Sequence, residues 1–114
     1  MRRREFLGFV ALASVVATPA FAQAHLNVVA TFSILADFVK QVGGDRVAVT
    51  SLVGPNADTH VFSPSPKDAR TIAEAAVVVV NGLGYEGWLS RLVKASGTKA
   101  RIVVASQGVK VRQE

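Results

Sequence analysis

Residues Ala76 to Val80 are apolar without a break, and the run closes at Asn81 and Gly82. A short β-branched run of this kind, ended by a turn, suits a strand buried on both faces, as the inner strands of parallel sheets are. Parallel strands all point the same way, so each must be joined to the next by a crossover, usually a helix. The flanking sequence supplies those crossovers. Leu26 to Thr31 is a Val-rich run, and from Ser33 onward Ile34, Leu35, Phe38, Val39 and Val42 recur at helical spacing until Gly43 and Gly44. Arg46 to Val53 alternates through Val47, Val49 and Ser51, as a half-buried strand does. After a polar loop from Pro55 to Pro64, Ser65, Pro66 and Asp68 set an N-cap, a first-turn proline and an acid at the third position of a helix reaching about Ala75. A further helix, from about Gly87 to Ala95, places Trp88, Leu89, Leu92 and Val93 on one side and stops at Gly97, and Ile102 to Ala105 reads as a fourth strand. The order β-α-β-α-β-α-β predicts an α/β fold. It is a small parallel sheet flanked by helices on both faces, with Ala76–Val80 its most buried element and a ligand-binding edge at the carboxyl ends of its strands.

Everything before Leu26 is of a different character. Arg2, Arg3 and Arg4 form a basic start, Phe6 to Ala17 is apolar apart from Gly8 and Ser14, and Ala20, Phe21 and Ala22 form a small-x-small site. That is the layout of an export signal over residues 1–22, whose apolar run is too short to span a bilayer, with cleavage expected after Ala22 or Ala24. Arg3, Arg4, Glu5, Phe6 and Leu7 also fit the twin-arginine consensus, which leaves that route and general secretion both open. Cleavage after Ala22 leaves residues 23–114 and removes three arginines and Glu5, taking the net charge from +5 to +3.

The basic excess of the whole chain is therefore in large part a property of the leader. The remaining lysines and arginines are scattered rather than striped with aromatics, which argues against a nucleic-acid partner. With 50% hydrophobic and 18% charged residues the chain has the makings of one packed domain. It has no cysteine, and so offers no disulfide, thiolate nucleophile, zinc ribbon, iron–sulfur site or lipid-modified cysteine.

Two segments on the expected carboxyl edge carry chemical interest. Gly82, Leu83, Gly84, Tyr85, Glu86 and Gly87 match the GxGxxG pattern between a strand and a helix, the context of a dinucleotide-binding turn. Against that, Glu86 would set a negative charge beside a pyrophosphate, and Ala105 and Ser106 stand where an acid for the ribose would be expected. A tight turn that uses glycine's conformational freedom explains the same letters. The second segment, Asn56 to Pro66, contains His60, the one mature histidine apart from His25 at the new amino terminus. An imidazole on such a loop can offer a ring nitrogen to a metal ion.

These same residues give the chain a specific resemblance. Thr31, Phe32 and Ser33, the loop Asn56 to Pro66 with Asp58, His60, Phe62 and Pro64-Ser65-Pro66, and Asn81-Gly82-Leu83-Gly84-Tyr85-Glu86-Gly87-Trp88 resemble the solute-binding proteins of zinc and manganese ABC importers. Their loop reads Gly-x-Asp-x-His followed by an aromatic and Pro-x-Pro, and their Asn-Gly-Leu-Gly-x-Glu-x-Trp signature accounts for the glycines. Asn56 departs from the family's glycine, and Thr59 stands where proline or alanine is common.

The resemblance implies a partial amino-terminal lobe of a two-lobed periplasmic metal-binding protein, with His60 as its first metal ligand and zinc or manganese as the transported ion. It implies capture rather than catalysis, an ABC importer membrane permease as partner, and a monomer when full-length. Family members are well over twice this long and carry their further ligands downstream, so the chain is expected to be an amino-terminal fragment that binds metal weakly alone. Asp58 and Ser63 are expected to shape the loop through hydrogen bonds to nearby backbone. From a different class, a truncated dinucleotide-binding domain of an exported oxidoreductase remains the alternative.

Overall fold

The computed structural model describes residues 25–113 and, upstream of them, Ser14. The expected export signal, residues 1–22, therefore lies outside the described residues apart from Ser14. Among the described residues no helix is long and apolar enough to cross a membrane.

The elements follow the expected alternation: β1 (Leu26–Phe32), α1 (Ser33–Gly43), β2 (Val47–Val53), α2 (Pro66–Ala73), β3 (Val77–Val80), α3 (Leu89–Ser96) and β4 (Arg101–Val104). Single 3₁₀ turns at Gly44–Arg46 and Thr59–Val61 join them. All strand pairs are parallel, in the order β2-β1-β3-β4. The register sets Val28 beside Val49 and Val77, and Ala30 beside Ser51 and Val79.

That order follows from the direction of the crossovers. The chain steps from β1 to β2 on one side and then returns past β1 to lay down β3 and β4 on the other. Crossovers of one hand then put the first helix on one face and the next two on the opposite face. The two apolar clusters show this. Val29, Val78 and Val80 pack with Ile72 of α2 and Leu92 of α3, while Ala30, with Val79 at its margin, packs with Leu35 and Ala36 of α1. Alternate residues of each strand thus serve alternate clusters, as the pleat requires.

Local chemistry fixes the helix ends as expected. Ser65 Oγ accepts the Asp68 backbone N–H at 3.3 Å and Asp68 Oδ2 accepts the Ser65 N–H at 2.7 Å, a reciprocal capping box with Pro66 in the first turn. α3 ends on Gly97 in the left-handed conformation.

Two expectations are corrected. The most buried strand is β1, with Val28, Val29, Ala30 and Thr31 all buried in succession, whereas β3 alternates and leaves Val77 and Val79 half-buried. The reason is coverage, because α1 packs mainly over β1 and β2 and reaches β3 only at Val79. For the same reason the sheet is covered on both sides only in part, and β4 is exposed along its whole length. The second correction concerns α1 itself. Leu35 and Ala36 are its buried residues, while Ile34 and Phe38 are each 58% exposed and Val42 is 91% exposed. Of the expected stripe, Leu35 is buried against the sheet and Val39 is half-buried, while Ile34, Phe38 and Val42 stand out toward solvent.

Candidate metal site

The strand order reverses direction between β1 and β3, so the chain leaves the carboxyl ends of these two strands toward opposite faces of the sheet, at the switch point where open α/β sheets usually bind ligands. Three segments meet there: the exit of β1 at Thr31–Ser33, the turn after β3 from Asn81, and the long loop after β2. His25 lies at the other end of β1, so the fold separates the two histidines.

The turn after β3 is built on three consecutive positive φ angles, at Gly82 (82°), Leu83 (58°) and Gly84 (74°). Gly82 is required twice over. Its φ suits glycine, and a Cβ there would lie 2.5 Å from Val104 Cγ1 and 2.7 Å from Ser106 Oγ. The chain reversal aims the backbone N–H groups of Asn81 and Gly82 at the Glu86 carboxylate, which accepts them at 2.6 Å and 3.1 Å. Thr31 Oγ1 donates to the same carboxylate at 2.8 Å, from the neighbouring strand. Glu86 is 8% exposed.

This geometry corrects the dinucleotide alternative. A nucleotide phosphate would need the backbone N–H groups of the turn, and the chain's own carboxylate occupies them. The helix begins only at Leu89, beyond the third glycine, and Ala105 and Ser106 supply no acid for a ribose. The glycines serve the turn.

His60 sits in the 3₁₀ turn Thr59–Val61, whose N-cap is Asp58. Asp58 Oδ1 accepts the His60 backbone N–H at 2.9 Å and lies 3.1 Å from its ring Nδ1. These bonds, the backbone one foremost, hold the Asp58 carboxyl below its ordinary range. Because a carboxylate can only accept, this contact favours the tautomer with its hydrogen on Nδ1, which leaves the lone pair on Nε2, an arrangement in which histidine ligates a metal. The imidazole is open to solvent, its side chain 65% exposed.

Aromatic contacts fix the rest of the loop. The His60 ring meets Tyr85 edge-on, with centroids 4.7 Å apart and planes at 75°, and Tyr85 rests against Phe32 at 5.1 Å. Trp88 Nε1–H donates to the carbonyl of buried Thr59 at 2.7 Å and packs against Phe62 at 4.8 Å. Of the two residues expected to shape the loop, Asp58 does so. Ser63 is exposed and makes no side-chain hydrogen bond among the described residues. Sequence reasoning overlooked Tyr85, Glu86 and Trp88 as parts of this site, although all three lie in the Asn81–Trp88 signature. Among the described residues no three His, Cys, Asp or Glu side chains converge, so the arrangement offers an ion one imidazole.

Residues 28–114 match the family model of the periplasmic component A of zinc-uptake complexes, ZnuA. The manganese-binding lipoprotein MntA of Halalkalibacterium halodurans is 42% identical over 69 residues, covering 60% of this chain and 23% of its own. The manganese ABC transporter substrate-binding lipoprotein of Streptococcus gordonii is 32% identical over 112 residues, covering 93% of this chain and 36% of its own. Among solved structures, the zinc-bound ZnuA-like domain of AdcA from Streptococcus pneumoniae superposes with a TM-score of 0.69 at 29% identity, covering 77% of this chain and 33% of that one. The chain thus spans about a quarter to a third of the length of these relatives. With 87 consecutive residues matched and the same parallel α/β lobe, it belongs to the ZnuA family of periplasmic zinc-uptake components.

Proposed function

We propose that this chain forms the front of the amino-terminal lobe of a metal-binding protein that captures zinc or manganese outside the cytoplasm and delivers it to the permease of an ABC importer. The observation that carries the proposal is His60, held through Nδ1 by Asp58 on the carboxyl edge of the sheet with its ring open to solvent. Relatives named for manganese and a neighbour solved with zinc support an ion of that class as cargo. The relatives are substrate-binding proteins, which accords with capture rather than catalysis. Residues 1–22 act as the export signal, and residues 23–114 make up the first part of the lobe.

One neutral imidazole offsets little of a divalent ion's lost hydration, so affinity rises with the number of ligands that join it. Calorimetry of the 114-residue chain with zinc should show weak binding. In a chain that joins this segment to the remaining two thirds of a relative, His60→Ala should weaken zinc binding at least tenfold, about 1.4 kcal/mol. Unchanged affinity in that variant would remove His60 from the site.

A further inference from the structure

We propose that Glu86 is a positioning residue for His60, acting through Tyr85. This rests on the assignment of His60 as a metal ligand. Its basis is the one buried acid among the described residues, which gathers donors from two neighbouring strands at the point where the sheet reverses direction. Thr31 Oγ1 reaches it from β1, and the N–H groups of Asn81 and Gly82 reach it from the end of β3. Thr31 is itself fully buried. The carboxylate therefore closes the turn on itself and fastens it to the adjacent strand.

Tyr85 is the residue immediately before Glu86, and its own N–H donates to the Gly82 carbonyl at 3.2 Å. Its backbone is thus held from both sides by the same turn. Its ring lies in contact with both Phe32 at the exit of β1 and the His60 imidazole. His60 needs that second contact. The bond from Nδ1 to Asp58 fixes one point of an exposed ring, about which the ring plane can still swing, and the edge-on packing with Tyr85 removes that freedom. Together the two contacts set the direction of the Nε2 lone pair, and a ligand already aimed at the ion binds it more tightly than one that must first be ordered. The carboxylate that fills the turn in place of a phosphate thus has a use: it sets the wall against which the ligand rests.

The test uses the 114-residue chain and four variants, Glu86→Gln, Thr31→Val, Tyr85→Leu and His60→Ala. In metal-free protein, NMR of the His60 ring protons reads the ring-current shift imposed by Tyr85, and titration with manganese(II) reads affinity. Glu86→Gln turns one of the two accepting oxygens into a donor facing other donors, and Tyr85→Leu removes the wall. Both should move the His60 ring signals toward their values in an unfolded peptide and weaken manganese binding threefold or more, with the methyl signals of buried Leu92 unmoved. Thr31→Val removes a single donor from a buried site at nearly constant shape. It should produce the same changes in smaller measure, and it decides the matter if Glu86→Gln does not fold. His60 signals and manganese affinity unchanged in folded Glu86→Gln, or in Thr31→Val where Glu86→Gln does not fold, would overturn the proposal. If His60→Ala leaves manganese affinity intact while Glu86→Gln still shifts the ring signals, the positioning role stands and the assignment of His60 as ligand falls.

Discussion

The imidazole of His60 is held by one hydrogen bond and one aromatic contact, and each has a measurable consequence. Asp58→Ala removes the acceptor for both the ring Nδ1 and the His60 backbone N–H. Loss of such a supporting partner usually costs a metal site ten- to a hundred-fold in affinity, and zinc titration of a chain with the full ligand set should show a loss in that range. Acid has a related effect. The Asp58 carboxyl is held below its ordinary range in the folded chain, so its contribution to the loop is present at neutral pH and disappears as the pH falls through that lowered value. Following the His60 backbone amide by NMR across an acid titration should show the turn loosening there, and Asp58→Asn should blunt the transition. Of this site, His60 and Asp58 were legible in the sequence because both lie in one short loop with a recognisable spacing. Glu86 and Trp88 were not, since their partners Thr31 and Thr59 lie 55 and 29 residues away and only the fold brings them together.

Among the elements, those with strong local signals are the ones the sequence specifies well. The capping box at Ser65 and Asp68 was readable because every part of it lies within four residues. Ser65→Ala should lower the unfolding free energy by about 1 kcal/mol in a denaturant titration, with little change in slope. The turn after β3 is more demanding. Gly82→Ala forces a side chain into a positive φ and against Val104, and should destabilise the chain by more than about 1 kcal/mol. Helix α1 shows the limit of periodicity as a guide. Ile34, Phe38 and Val42 share a face, as their spacing says, but spacing does not reveal whether that face meets the sheet or solvent. The continuous valines of β3 misled in the same way, because burial of a strand depends on which helices reach it.

At the scale of the whole molecule, the described residues bury one face of the sheet well and the other incompletely. Ile72 on the covered face is fully buried between sheet and α2, and Ile72→Ala should cost about 2–5 kcal/mol, enough to unfold a marginal domain. On the opposite face Val77 and Val79 are half-covered and Val103 of β4 is exposed, and Phe38 and Val42 project from α1 into solvent. An apolar surface of this kind beside an open strand edge favours association, so the 114-residue chain should bind a hydrophobic dye and show a concentration-dependent thermal transition. A sharp, concentration-independent transition in a monomeric sample would show the lobe to be self-sufficient. The central claim, that the carboxyl edge of this sheet presents His60 to a metal ion, is tested most directly by adding manganese(II) at low ratio to isotopically labelled chain and reading which signals broaden. The ring signals of His60 should broaden first and those of Tyr85 next, while His25, about 20 Å of strand away at the start of β1, stays sharp, and His60→Ala should abolish the effect. Broadening centred elsewhere, or unaltered by His60→Ala, would contradict it.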